Sequence, residues 1–202
     1  MNKNRQQQLG TYLLATIESP YTMWVFINII VWSLGLYVIA LSIRFLGLVG
    51  APIGTALAGI IIGGGQAWAL RHLLPIDPRR WIQHSVIGTI LGVLPIGLLF
   101  LWILLVAIIG LNSVLFILGG IFGGTLGGIQ SRLLQPIIHE QIGWWIVINV
   151  IAGAVCAPLS LTGTTFWLPV FCSLGPLSFG LLTAGMLRYI LRHLDVPLND
   201  AT

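Results

Sequence analysis

The sequence predicts an all-α fold: an integral membrane bundle of six transmembrane helices, built as three degenerate two-helix hairpins. Three observations carry that reading. Of 202 residues, 57% are apolar and only 7% are charged, whereas a soluble domain carries about 25% charged residues to keep its surface wetted. Long runs are apolar without the alternation that a membrane β-barrel needs. The basic residues are also concentrated on one side of the arrangement that those runs imply.

A spanning helix takes about 20 apolar residues. Six such runs read as Met23–Ile43, Pro52–Leu74, Trp81–Val106, Val114–Ile138, Trp144–Leu161 and Val170–His193. Around them, residues 1–20 form a cytoplasmic or interfacial arm and 195–202 a cytoplasmic tail. The membrane domain covers 21–194, with hairpins at about 21–75, 79–138 and 143–194. The arm lacks the small-residue cleavage site of a secretory leader, so the first run is expected to remain as a span.

With six crossings, Lys3, Arg5, Arg71, Arg79, Arg80, Arg132, Arg188 and Arg192 share one side, and Arg44 alone lies opposite. That bias places both termini in the cytoplasm of a bacterial inner or photosynthetic membrane. The basic balance is thus a topology signal, and no nucleic-acid partner is implied. Cys156 and Cys172 fall in different spans at different depths, which favours free thiols.

The hairpins repeat in pattern. WVFINIIVWSLG, WIQHSVIGTILG and WWIVINVIAGAV align on Trp24, Trp81 and Trp145, and place Asn28, Ser85 and Asn149 one turn further on. Each is followed by a glycine-rich helix. Gln66 and Gln130 lie 15 residues before Trp81 and Trp145, and Met186 takes that position in the third copy. Trp24, Trp81, Trp144 and Trp145 read as interfacial anchors, since an indole suits the headgroup boundary. Gly59 and Gly63, then Gly119, Gly123, Gly127 and the adjacent row Gly120, Gly124, Gly128, read as helix-packing positions that admit a neighbouring backbone. Gly88 and Gly92 read likewise, and Pro95 and Pro158 are expected to kink their helices. Asn28, Gln66, Ser85, Gln130 and Asn149 are the candidate interhelical or pocket residues, because an amide in hydrocarbon seeks a partner on another helix.

GGGQAWALRHLLP followed by WIQHSVIG, and GGIQSRLLQP followed by WWIVINV, resemble uncharacterised multi-pass bacterial membrane proteins of cyanobacterial and Chloroflexi type. The resemblance spans about residues 24–190 and implies the repeated Trp…GxxQxxxL hairpin. It implies no activity, cofactor or substrate.

Chemical signals are sparse. Glu18, Asp77, Glu140, Asp195 and Asp200 all fall in cytoplasmic or terminal segments, so no intramembrane carboxylate pair can run acid–base chemistry. His84, about one turn deep, reads as a satisfied interfacial histidine. His72, His139 and His193 lack metal-motif spacing. Ser131, Ser173 and Ser178 lack a paired base. Pro75-Ile76-Asp77-Pro78-Arg79-Arg80 matches PxDxxR of mitochondrial carriers, but occurs once and follows an even-numbered helix. A tight capped turn explains it. No catalytic residue, no metal site and no cofactor is expected.

The expected function is therefore a non-enzymatic structural or accessory membrane protein acting by lateral helix contacts, with membrane lipids and other membrane proteins as partners. The apolar stretch Leu98–Leu118 is its candidate ridge. The alternatives are a small-molecule transport component, such as the six-helix vitamin-binding subunits of energy-coupling-factor transporters, or a pigment- or lipid-binding protein.

Overall fold

The computed structural model describes residues 19–71, 73–97, 99–138, 141–161 and 174–193. Among these, every regular element is helical: α1 (Pro20–Leu46), α2 (Gly50–Leu70), α3 (Pro78–Val93), α4 (Leu99–Ile109), α5 (Leu111–Leu134), α6 (Ile142–Leu161) and α7 (Leu174–His193). Five of them, α1, α2, α5, α6 and α7, are long and apolar enough to cross a membrane, as in a multi-pass membrane protein.

Local chemistry sets the ends. Ser19 caps α1 by accepting from Thr22 N–H at 3.3 Å, and Pro20 stands at its first position, where a missing N–H costs nothing. Asp77 and Pro78 repeat the device at α3, with Arg79 N–H donating to Asp77 Oδ1 at 2.9 Å. Arg80 adds a partial ion pair to Asp77 at 3.7 Å, so the PxDxxR string is a capped turn. Gly47, at φ 62°, closes α1, and Gly110, at φ 84°, makes the single-residue corner between α4 and α5.

The run expected as one helix over Trp81–Val106 is divided. α3 has 16 residues, a 3-10 turn spans Leu94–Gly97, and α4 has 11. Pro95 lies inside the turn, where its lack of an N–H interrupts the α-helical ladder. Pro158 lies inside α6.

The helices pack as a closed ring. α1 packs on α2, α2 on α3, α3 on α5, α5 on α6, α6 on α7, and α7 returns to α1. α4 packs chiefly on α5. Glycine permits the closest approaches. A methyl group on Gly63 would stand 2.7 Å from Ser85 Cβ, and one on Gly127 would stand 2.7 Å from Asn149 Cβ. At Gly119 and Gly123 it would fall onto the carbonyls of Gly153 and Asn149.

The two expected glycine rows of α5 thereby separate. Gly119 and Gly123 meet the backbone of α6, and Gly127 meets the Asn149 side chain. At Gly120 a methyl group would be in ordinary contact, at Gly124 it would press only on Val150 Cγ2, and at Gly128 it would meet nothing. Packing inside the ring thus uses one row. Gly120 and Gly124 of the other row line an open, largely apolar groove of about 570 Å³ on the outer surface of α5 and α6, bordered by Phe116, Ile117, Ile121 and Val150.

Candidate functional site

The ring interior is layered. One layer holds Trp24, Trp81 and Trp145 with Leu70, Leu134, Leu187 and Ile190. The other holds Trp32, Ile62, Leu126, Ala152 and Phe179. Trp32 meets Phe122 edge-on, with centroids 5.7 Å apart, and Phe179 at 4.8 Å. Between the layers lies a polar stratum, because Asn28 falls between Trp24 and Trp32 on α1, and Gln130 between Leu126 and Leu134 on α5.

The stratum is a hydrogen-bonded chain across four helices. Gln66 Nε2 donates to Asn28 Oδ1 at 2.9 Å. Gln130 Nε2 donates to Gln66 Oε1 at 3.0 Å and to Ser85 Oγ at 3.1 Å. Asn28 Nδ2 turns back to the Trp24 carbonyl at 2.9 Å, and Asn149 Nδ2 makes the equivalent bond to Trp145 at 2.8 Å. All five residues expected to be interhelical or pocket residues are buried at 0–2% exposure. The structure joins Asn28, Gln66, Ser85 and Gln130 directly. Asn149 sits on α6 with its amide bonded to its own helix.

Burial places a sixth member that residue counting assigned elsewhere. The buried stripe Ile62, Gly63, Gln66, Ala67, Leu70 has the spacing of Leu126, Gly127, Gln130, Ser131, Leu134 and of Phe179, Gly180, Thr183, Ala184, Leu187. Thr183, fully buried, takes the glutamine slot; Met186, one turn on, is half-buried. The Trp24 indole N–H donates to Thr183 Oγ1 at 2.9 Å and ties α7 to α1. A threonine at 0% exposure needs a partner, and it finds the indole as well as its own helix, donating to the Phe179 carbonyl at 2.7 Å.

Three of the four tryptophans expected as interfacial anchors are buried inside the ring. Trp24, Trp81 and Trp145 are buried at 0–1%, and Trp144 is exposed, at 61%. The ring encloses one face of each first helix, and these three indoles lie on it. Among the described residues, the indole N–H groups of Trp32, Trp81 and Trp145 are buried without a hydrogen-bond partner. In the slot where α7 offers a hydroxyl to Trp24, α2 and α5 carry Gln66 and Gln130, whose amides are engaged with each other.

Outside the interior, His84 is half-buried with Nδ1 2.8 Å from the Arg80 carbonyl, one turn back along α3. Cys156 is a free thiol 3.7 Å from Ser160 Oγ. Ser178 donates to the Gly175 carbonyl at 2.7 Å, and Ser131 to that of Gly128 at 2.7 Å. Among the described residues, no three His, Cys, Asp or Glu side chains converge on a metal-sized position. His72, His139, Glu140, Cys172, Ser173 and the terminal arms lie outside the described residues.

No family model, no curated protein and no solved structure matches this chain.

Proposed function

We propose that the chain is a non-enzymatic structural or accessory protein of a bacterial membrane, with six crossings in three related hairpins and both termini in the cytoplasm. It acts through lateral contacts with lipids and other membrane proteins. The carrying observation is the polar stratum. Asn28, Gln66, Ser85 and Gln130 are joined to one another by hydrogen bonds and are buried at 0–2% exposure. A transport or ligand-binding site needs converging polar groups left available to the solute.

The sixth crossing is α3 together with its 3-10 turn, whose uncharged part, Trp81–Gly97, rises about 28 Å, close to a hydrocarbon core of about 30 Å. The matched stripes of α2, α5 and α7, and the four-residue step from Trp to Asn, Ser and Asn on α1, α3 and α6, support the three-hairpin reading. The eight-to-one division of Lys and Arg supports the orientation.

The test is reconstitution of the full chain into vesicles, followed by native mass spectrometry and uptake assays with a panel of water-soluble vitamins and ions. The expected result is no retained small molecule and no saturable uptake, with membrane proteins recovered on gentle co-purification from native membranes. Saturable uptake abolished by Gln66→Leu would overturn the proposal and establish the transport alternative.

A further inference from the structure

α4 is the helix that the ring does not use. Its eleven residues, LFLWILLVAII, carry no polar face. Ile103, Leu104, Ile108 and Ile109 are 61%, 51%, 69% and 42% exposed. The whole stretch between Arg80 and Arg132 lacks Asp, Glu, Lys and Arg.

Helix rise fixes where this surface stands. The bond between Gln130 and Ser85 puts these two residues at one depth. From that depth α3 and its turn climb about 20 Å to Gly97, and α5 climbs about 28 Å to Leu111. A helix of 11 residues is about 16 Å long, so α4 crosses obliquely between those heights instead of running along the bundle axis. Arg44, on α1, lies about 24 Å above the same stratum, and its four-bond stem carries the guanidinium further out. Asn112 and Ser113 head α5 at the outermost point, and α4 slopes inward from there.

A helix lying at a membrane boundary is normally amphipathic, with one face for water and one for acyl chains. α4 is apolar around its whole circumference. That lack of a polar face fits an apolar solvent, and Ile103, Leu104, Ile108 and Ile109 carry no hydrogen-bonding group to orient a protein partner. The geometry points to α4 as a submerged oblique helix whose partner is the acyl-chain region of the non-cytoplasmic leaflet, beneath a polar boundary marked by Arg44 and Asn112. The apolar height from Arg80 to the head of α5 is then about 36 Å, beyond the roughly 30 Å of an average hydrocarbon core, so this side of the bundle favours a thick bilayer or a tilt.

The inference rests on the membrane-spanning reading, and the experiment separates the two. Leu104→Cys, Ile108→Cys and Asn112→Cys are made singly in the full chain carrying Cys156→Ala and Cys172→Ala, then reconstituted in dioleoyl phosphatidylcholine vesicles. Loss of co-flotation with vesicles would refute the membrane reading itself. With flotation intact, positions 104 and 108 are expected to react with a water-soluble maleimide at least tenfold more slowly than the same chains in dodecyl sulfate, while position 112 reacts freely. A bimane at 104 or 108 is expected to be quenched by acyl-brominated lipid. Labelling at 104 and 108 as fast as at 112 overturns the inference. Protection without lipid quenching also overturns it: loss of protection on dilution with excess lipid would assign α4 to a second copy, and persistence would assign it to a protein partner. Stability is further expected to rise from 14-carbon to 22-carbon monounsaturated chains, and the opposite order would contradict immersion.

Discussion

Trp24 and Thr183, 159 residues apart, meet through an indole-to-hydroxyl hydrogen bond of 2.9 Å that joins α1 and α7. Both side chains are essentially fully buried. The bond serves the one tryptophan of the inner layer whose N–H has a partner; Trp81 and Trp145 keep theirs unpaired among the described residues.

Thr183→Val preserves shape and removes the acceptor, leaving a fourth orphaned indole among the described residues. Loss of the bond with a buried donor left behind costs about 1–3 kcal/mol. Reversible unfolding in dodecyl sulfate titrations should register that loss. Thr183→Ser, which keeps the hydroxyl, should recover most of it. Equal loss in both variants would mean that packing, not the bond, holds α7 to α1.

The amide chain predicts non-additivity. Gln130→Leu strands both Gln66 Oε1 and Ser85 Oγ, and Gln66→Leu strands Asn28 Oδ1. Each should cost roughly 0.6–2 kcal/mol, the usual range for interhelical polar contacts in membranes. The double variant should cost less than the sum, because the bond they share is lost only once. A double-mutant cycle reads the coupling directly, and strict additivity would contradict the geometry.

The glycine rows should respond differently. Gly123→Leu drives a side chain into the backbone of α6 at Asn149 and should abolish folding. Gly124→Leu extends over the outer groove and needs only a shift of Val150, so it should fold. Gly128→Ala meets no atom and should stabilise by up to about 1 kcal/mol through helix propensity. Expression level and the melting midpoint in detergent distinguish these outcomes. From sequence alone both rows promised the same close contact, since a spacing of four residues says that two glycines share a face but not which helix that face meets.

At the capped turn, Asp77→Ala should cost about 0.5–2 kcal/mol by leaving the Arg79 N–H without its acceptor. Asp77→Asn should be nearly neutral. A helix-content or proteolysis assay at the α2–α3 turn tests both, and equal sensitivity of the two variants would show that the charge matters more than the cap.

How much of the site was legible depends on what each residue needed. Asn28, Ser85 and Asn149 could be found because each follows a tryptophan by four residues on a helix that starts at a clear signal. Gln66 and Gln130 stood out as amides in apolar runs. Thr183 did not: a threonine is unremarkable in a membrane helix, and no tryptophan lies 15 residues beyond it to count back from. Counting placed Met186 there, one turn too far. The burial of Trp24, Trp81 and Trp145 was hidden for a related reason, because an indole near a helix end satisfies the headgroup boundary and a closed interior equally well.

Composition, run length and charge placement determined by themselves that this chain is helical and suited to lipid, since those properties follow from solvent alone and need no partner helix. The tertiary structure decided which residues meet. The closing of α7 onto α1, the choice between two equivalent glycine rows, the division of the third apolar run, and the pairing of Gln66 with Gln130 all depend on distances between helices. Periodicity within one helix records a direction, not the neighbour that fills it.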